Sequence, residues 1–587
     1  MSIRTIGAAF VALAGLLSSC DAPVSTTAQT LLTPDGHETS RLTPLAADSA
    51  RRWLFVFHYD CPTTTELVEG FGYECPALGA SVADAMCYIA LDQGCAIDAD
   101  LDGAGVDRDC DDTDPERSPE AVETCGDGID QDCDGDDREC LEVELSSADV
   151  KLTGEASYDW AGWSVAGVGD LNGDGLAEVA AGAPWQDAGG SSSGAVYVVS
   201  APSGDKSLGL SDLTIIGEAS GDQAGWSVDG AGDVDGDGFD DLIIGAYQSD
   251  AAATAAGAAY VVYGSKRLDE AVDLADEARL TGERTADYAG SAVSSAGDLN
   301  GDGLADVVVG ARGASIGGSA NGAAYLVYGP VGDMGLGSAD ARLVGETSGA
   351  QAGYSVDGVG DVTGDGLDDV IIGAPYEGYV ASNAGAAYLV SGDVGGALDL
   401  SVAEARMLGE GSGDYAGYSV AGAGDVNGDG YPDLLVGAFE EDSAGTDAGA
   451  AYLVHGPISG DIDLAAADAK LVGEAAGDHA GCSVDGAGDV NGDGVPDVVI
   501  GAYRHSGRKL NGGAGYVFLG PFTGQLGLAQ ADVVLVGESE SDQAGYAVAG
   551  AGDVDGDGLA DLLIGAHSGD GDTSDAGSMY LLLGAGI

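Results

Sequence analysis

Residues 298–306 read Asp298-Leu299-Asn300-Gly301-Asp302-Gly303-Leu304-Ala305-Asp306. The pattern they spell, D-x-[DNT]-x-D-G-x-x-[DE], begins at Asp170, Asp233, Asp298, Asp361, Asp425, Asp489 and Asp553. The spacings are 63, 65, 63, 64, 64 and 64 residues. Each copy has the same flanks. Before it stands A-G-x-S-V or a close variant, as at Ala224–Val228, and after it a short apolar run such as Val307–Ala311. A variable loop follows, then G-A-A-Y-L-V-Y-G at Gly322–Gly329, then L-x-G-E at Leu343–Glu346. These short runs of Val, Ile, Leu and Tyr, punctuated by Gly, predict strands rather than helices. Four strands at a period near 64 predict one propeller blade per repeat, and seven blades close a ring. The last repeat stops after its third strand, at Gly577–Gly584, while a spare L-x-G-E stands at Leu152–Glu155. That N-terminal strand is expected to complete the last blade and leave no unpaired edge. The fold class predicted is all-β, a seven-bladed propeller over residues 145–587 preceded by a small Cys-rich acidic module.

The acidic loops are not EF-hands. An EF-hand needs a bidentate Glu at loop position 12, and position 12 here is Ala181, Ile244, Val309, Ile372, Val436, Ile500 or Ile564. With Gly182-Ala183-Pro184 and Gly373-Ala374-Pro375 kept literally, the repeats resemble FG-GAP repeats, the units of the integrin α-subunit propeller. That resemblance implies a β-hairpin loop binding Ca²⁺ through positions 1, 3, 5 and 9, with a backbone carbonyl at 7. Position 1 holds Asp170, Asp233, Asp298, Asp361, Asp425, Asp489 and Asp553. Position 3 holds Asn172, Asp235, Asn300, Thr363, Asn427, Asn491 and Asp555. Position 5 holds Asp174, Asp237, Asp302, Asp365, Asp429, Asp493 and Asp557, and position 9 holds Glu178, Asp241, Asp306, Asp369, Asp433, Asp497 and Asp561. Carboxylates this close repel one another unless a cation sits among them. Thr363 alone departs from Asn or Asp, so the fourth loop is expected to be the weakest site. The family's Phe-Gly aromatic slot is altered to Trp163, Trp226, Ser291, Tyr354, Tyr418, Cys482 and Tyr546, and Cys482 is expected to be a buried, inert thiol.

The N-terminus reads as an address. Arg4 precedes twelve apolar residues, Ile6–Leu17, too few to span a bilayer. Residues 1–19 are therefore read as a signal peptide. Leu17-Ser18-Ser19-Cys20 resembles the lipobox of bacterial lipoproteins, which implies lipidation at Cys20 and a place in the bacterial cell envelope, with no other contact with membrane. Residues 20–50 are rich in Thr, Ser, Ala and Pro and suit a flexible tether. Residues 51–140 hold eight Cys, an even number that favours disulfides of unreadable pairing. Asp98, Asp100 and Asp102 precede Gly103, and Asp130, Asp132 and Asp134 precede Gly135, spacings that can wrap a hard cation such as Ca²⁺. Zinc is the weaker reading if the thiols are paired. The core Asp109-Cys110-Asp111-Asp112-Thr113-Asp114-Pro115 resembles the metal-binding motif of MopE-type bacterial surface proteins.

The formal net charge of −79, from 20 Lys+Arg against 99 Asp+Glu, excludes nucleic acid as a partner. Seven divalent ions would offset only about a fifth of it, so the remainder serves solubility. No nucleophile elbow, phosphate loop or H-E-x-x-H occurs among these residues. The reading is a calcium-binding, non-catalytic adhesion or binding module for an extracellular protein or glycan. The alternative is a secreted hydrolase or lyase of polysaccharide or lipid on a propeller scaffold. The loops between second and third strands, the most variable, open with Trp185, Tyr247, Tyr376, Phe439 and Tyr503, which are read as the ligand face opposite the acidic loops.

Overall fold

The computed structural model describes residues 141–268, 271–392, 394–569 and 574–584, with the backbone of five strands between residues 26 and 98. The chain divides into two compact units, Met1–Glu139 and Cys140–Ile587. In the first unit, Thr26–Leu32 pairs antiparallel with Glu38–Pro44, inside the stretch read as a tether, so that stretch carries a hairpin its composition does not signal. Trp53–Cys61 pairs antiparallel with Thr64–Gly72 and Ala96–Asp98. Cys20, Asp100, Asp102, Asp130, Asp132, Asp134, the side chain of Asp98 and the Cys-rich motif lie outside what is described.

The second unit is the ring of seven blades. In blade three, Ala289–Gly297 lies innermost, followed outward and antiparallel by Asp306–Ala311, Ala323–Val327 and Ala341–Val344. A fifth strand, Gly396–Asp399, then runs parallel to the fourth. All seven sheets have five strands, not the four read from the period, because the lead-in to the next 3₁₀ turn adds itself to the preceding blade's edge. Closure follows the expected rule. Val150–Thr153 pairs antiparallel with Ser578–Leu582 as the fourth strand of blade seven. Leu141–Glu144 runs parallel to Val533–Val536 as the fifth strand of blade six, a second clasp the sequence reading lacked.

The second strands are buried along their whole length, which is why they read as unbroken apolar runs such as Asp306–Ala311. Their glycines are required by packing: a Cβ on Gly310 would lie 2.3 Å from the carbonyl oxygen of Gly353 in the next blade. The middle of each third strand supplies the seven largest buried side chains, Tyr197, Tyr260, Tyr325, Tyr388, Tyr452, Tyr516 and Tyr580. Each hydroxyl reaches the Glu of the preceding L-x-G-E, as Tyr260 does to Glu218 at 2.8 Å and Tyr325 to Glu283 at 2.9 Å. Four of these Glu also take a cation at 2.6–3.1 Å from the fourth strand: Arg279, Arg342, Arg406 and Lys470. In blade seven Lys151 closes the same contact with Glu538. The L-x-G-E carboxylate is thus a latch between consecutive blades.

Candidate metal loops and aromatic face

Each acidic loop joins the innermost strand to the second. In the third loop, Asp298 accepts the amides of Asp302 at 3.0 Å and Gly303 at 2.9 Å, and Asp302 accepts that of Leu304 at 3.0 Å. The ninth residue, Asp306, is fully buried and accepts the amides of Leu299 and of Gly329, beyond the third strand, both at 2.9 Å. Asp241, Asp433, Asp497 and Asp561 are held in the same way by two amides each. Position 9 therefore ties the loop to its blade. Burial pushes its carboxyl up, to about 6 in Asp241, Asp306 and Asp369 and to about 7 in Asp497, against the opposing pull of the amides. Glu178, Asp433 and Asp561 are raised for the same first reason.

These donors are all hard oxygens, in a set that suits a divalent cation of the calcium type. In the second loop one oxygen from each of Asp233, Asp235 and Asp237 lies within 4.8 Å of the others. In the seventh the same holds for Asp553, Asp555 and Asp561. These are the two loops with Asp at position 3; among the described residues no other loop gathers three carboxylates so closely. The fourth loop carries a direct mark of fit. The Thr363 hydroxyl oxygen is buried there without a hydrogen-bond partner. Its neighbour Asp365 is engaged instead by Ser391, whose hydroxyl donates at 2.5 Å and holds the carboxyl below its usual range.

The opposite face carries aromatic side chains in two concentric sets. The inner set is the altered aromatic slot, and the outer set opens the loops after the second strands. Trp185 lies 5.0 Å from Trp163, Tyr247 4.1 Å from Trp226, and Phe439 4.2 Å from Tyr418 between ring centroids. Tyr376 sits 6.3 Å from Tyr354, and Tyr503 5.5 Å from Tyr546. All five outer aromatics are half-buried rather than free-standing. Cys482 is buried, and its thiol is pushed up to about 12 by that burial. His479 is 5% exposed, 5.4 Å from both Phe439 and Tyr503, and kept below its usual range by burial and Arg504. His505 is buried against Asp478 at 3.2 Å, a bond that raises it over the opposing effect of burial.

Several members of this face were missed. Arg312 and His567 stand where blades three and seven should place an aromatic, directly after Gly-Ala. Trp160, Tyr288, Tyr415 and His479 stand just before A-G, at φ between 55° and 58°. The signal was register: overlaying the seven repeats puts these residues in line with the aromatics that were found.

Comparison with known proteins agrees with this architecture. The FG-GAP repeat model matches residues 161–199, 224–262, 289–327, 352–390, 416–454, 483–519 and 544–582. A MopE-type metal-binding motif matches residues 109–139. Integrin alpha pat-2 of Caenorhabditis briggsae is 32% identical over 226 residues, covering 36% of this chain and 18% of that protein. Integrin alpha-5 of Xenopus laevis is 32% identical over 189 residues, 31% of this chain and 18% of the relative. Integrin alpha-V of Gallus gallus is 31% identical over 241 residues, 38% and 20%. The match spans a fifth or less of each relative's length.

Proposed function

The chain carries seven FG-GAP repeats closed into one ring, and from that premise we propose a non-catalytic, calcium-dependent binding or adhesion module that works outside the cytoplasm. Residues 1–19 direct export, Cys20 carries a lipid anchor in the bacterial cell envelope, and residues 20–50 lead to the Cys-rich module of 51–140 and the ring of 145–587. Calcium is held in each loop by positions 1, 3, 5 and 9, with Thr363 serving at position 3 of the fourth. Bound there, the ion neutralises carboxylates that otherwise repel. The two acidic triplets of the Cys-rich module bind the same kind of cation. The likeness to integrin α chains supports an extracellular protein or glycan as partner.

The observation that carries the reading is the aromatic face. A rigid ring that gathers Trp, Tyr and Phe, half-exposed, on the side away from its ion loops has the make-up of a recognition surface. The test is to probe arrays of extracellular proteins and glycans with the purified full chain, with and without calcium. Capture in calcium is expected, lost on chelation and lost in the triple variant Trp185→Ala, Tyr376→Ala, Tyr503→Ala. Turnover of an arrayed polysaccharide or ester, or no capture of either class in calcium, would count against it.

A further inference from the structure

The aromatic collar is interrupted at two blades. The inner slot is small at Ser291 in blade three and Cys482 in blade six, three blades apart. At the blade-three interruption Arg312 fills in, and in blade six an exposed arginine, Arg504, stands on the outer set. The Arg312 guanidinium carbon lies 5.1 Å from the ring centroid of Tyr354, 5.4 Å from Tyr247 and 5.8 Å from Trp226. That of Arg504 lies 5.3 Å from Tyr503, and its Nη1 is 3.1 Å from His479 Nε2. On the blade edges, by contrast, Arg279, Arg342 and Arg406 are each ion-paired with a glutamate. Among the described residues neither Arg312 nor Arg504 makes an ion pair, although the chain holds 99 acidic residues. In so acidic a protein, a guanidinium such as Arg312, set on three aromatic rings without an ion pair, is available to a carboxylate that comes from outside, while Arg504 has Glu440 within reach of its charge.

The residues just before A-G identify the rest of the ligand. All seven are non-glycine in the left-handed region: Trp160, Gln223, Tyr288, Gln351, Tyr415, His479 and Gln543. Glycine adopts that conformation most easily, and another residue there costs about 1 kcal/mol or more. Each blade nonetheless keeps a side chain at this place, and it is always flat, aromatic or amide. The Gln223, Gln351 and Gln543 amides have no hydrogen-bond partner among the described residues. Flat apolar faces, amides free to bond hydroxyls and a guanidinium fork together match a sugar ring that bears a carboxylate.

We propose that this collar binds an acidic saccharide, a uronate whose ring stacks on the aromatics and whose carboxylate is taken by Arg312, with Arg504 as a second anchor. This deepens the binding reading above and rests on it. The net charge of −79 repels long polyanions, so a short or terminal uronate is favoured over an extended acidic polymer.

Tryptophan fluorescence of the full chain, in saturating calcium, is titrated with trigalacturonate, with its methyl ester and with a glutamate-rich peptide. Trigalacturonate is expected to bind saturably. The uncharged ester, of the same shape, and the Arg312→Gln variant are each expected to bind about tenfold or more weakly. Equal affinity for acid and ester, binding undiminished in Arg312→Gln, binding of the peptide alone, or no response to any probe would each overturn the proposal. Should Arg312→Gln lose its calcium-saturated melting transition, Arg504→Gln, on an exposed side chain, carries the same comparison. Array capture that persists without any response to trigalacturonate would remove the uronate assignment and leave the binding reading standing.

Discussion

Thr363 concentrates the loop chemistry in one side chain. Its hydroxyl is the one position-3 group that is neither amide nor carboxylate, and it is buried without a partner, while Ser391 occupies the Asp365 carboxylate that an ion would need. The uncharged donor at position 3 and the engaged Asp365 carboxylate should both lower the affinity of the fourth loop for an ion. Thr363→Asp combined with Ser391→Ala should therefore tighten the weakest class of sites in a calcium titration by calorimetry. An unchanged weakest class would contradict this. The interblade latch makes a second residue-scale prediction. Glu283 takes both the Tyr325 hydroxyl at 2.9 Å and Arg342 at 3.0 Å, whereas Glu155 takes Tyr197 at 3.1 Å with Thr214 opposite and no ion pair among the described residues. Removing Glu283 leaves the buried Tyr325 and the half-buried Arg342 without this partner and should cost about 1–3 kcal/mol, against about 1 kcal/mol or less at the more exposed Glu155. Denaturant midpoints of Glu283→Ala and Glu155→Ala measure the difference, and equal losses would rule out the cationic half of the latch.

Strands and loops divide the labour within each blade. The strands bury Ala, Val, Leu and one Tyr, with only 8 Phe and 5 Trp in the chain, so each blade buries little area per residue. Stability is then expected to lean on the loops. A site at a hundredfold excess of ion over Kd adds about 2.7 kcal/mol. Seven such sites should be worth roughly ten degrees or more of melting temperature in a ring this size. Thorough chelation should lower Tm by that amount and added calcium restore it; a calorimetric trace indifferent to EDTA would end the idea. The elements were legible because period, strand length and turn residues all repeat sevenfold, and even the closing strand Val150–Thr153 could be found from its surplus L-x-G-E. The fifth strand of each blade was not, because a segment such as Gly396–Asp399 is short and carries one large apolar side chain, Leu398, in place of an apolar run. The face was half legible. Trp185 and Tyr247 stand out by residue type, but their packing on Trp163 and Trp226 depends on slots two strands away. That packing decides what truncation should do: alanine at Trp185, Tyr376 and Tyr503 should abolish capture and also lower Tm measurably.

At the scale of the whole ring, the innermost strands meet around a cavity of about 180 Å³ that no single repeat could foreshadow. One residue per blade points to it: Ala166, Asp229, Ser294, Asp357, Ala421, Asp485 and Ala549. The three carboxylates come from blades two, four and six, so each is flanked by a small or neutral neighbour. The Ser294 hydroxyl donates to Asp357 at 2.7 Å, and Gly422 and Gly550 give their amides to Asp357 at 2.9 Å and Asp485 at 3.0 Å. The three carboxylates are part-exposed to the cavity, yet the cavity is too narrow to solvate charge as bulk water does. Burial, and for Asp229 and Asp485 the charge of Asp357, raises the carboxyls: Asp229 to about 7, Asp357 to about 6, and Asp485 well above its usual range. A raised carboxyl binds its proton more tightly in the ring than in the unfolded chain, where it titrates near 4. Below that pH both states are protonated and the triad adds no penalty. Between about 4 and 7 the unfolded chain has lost the proton that the ring still holds, so the triad's contribution to stability falls as pH rises and levels off above the folded values. The acidic loops titrate over the same range, their position-9 carboxyls being raised as well, so the triad must be isolated by difference. Asp229→Asn with Asp357→Asn removes two of the titrating groups and leaves Ser294 between them to bond either amide. In saturating calcium this variant and the unaltered chain should melt together near pH 4.5. The variant should become the more stable of the two by pH 8. A constant offset across that range would show that the cavity carboxylates do not titrate with the fold.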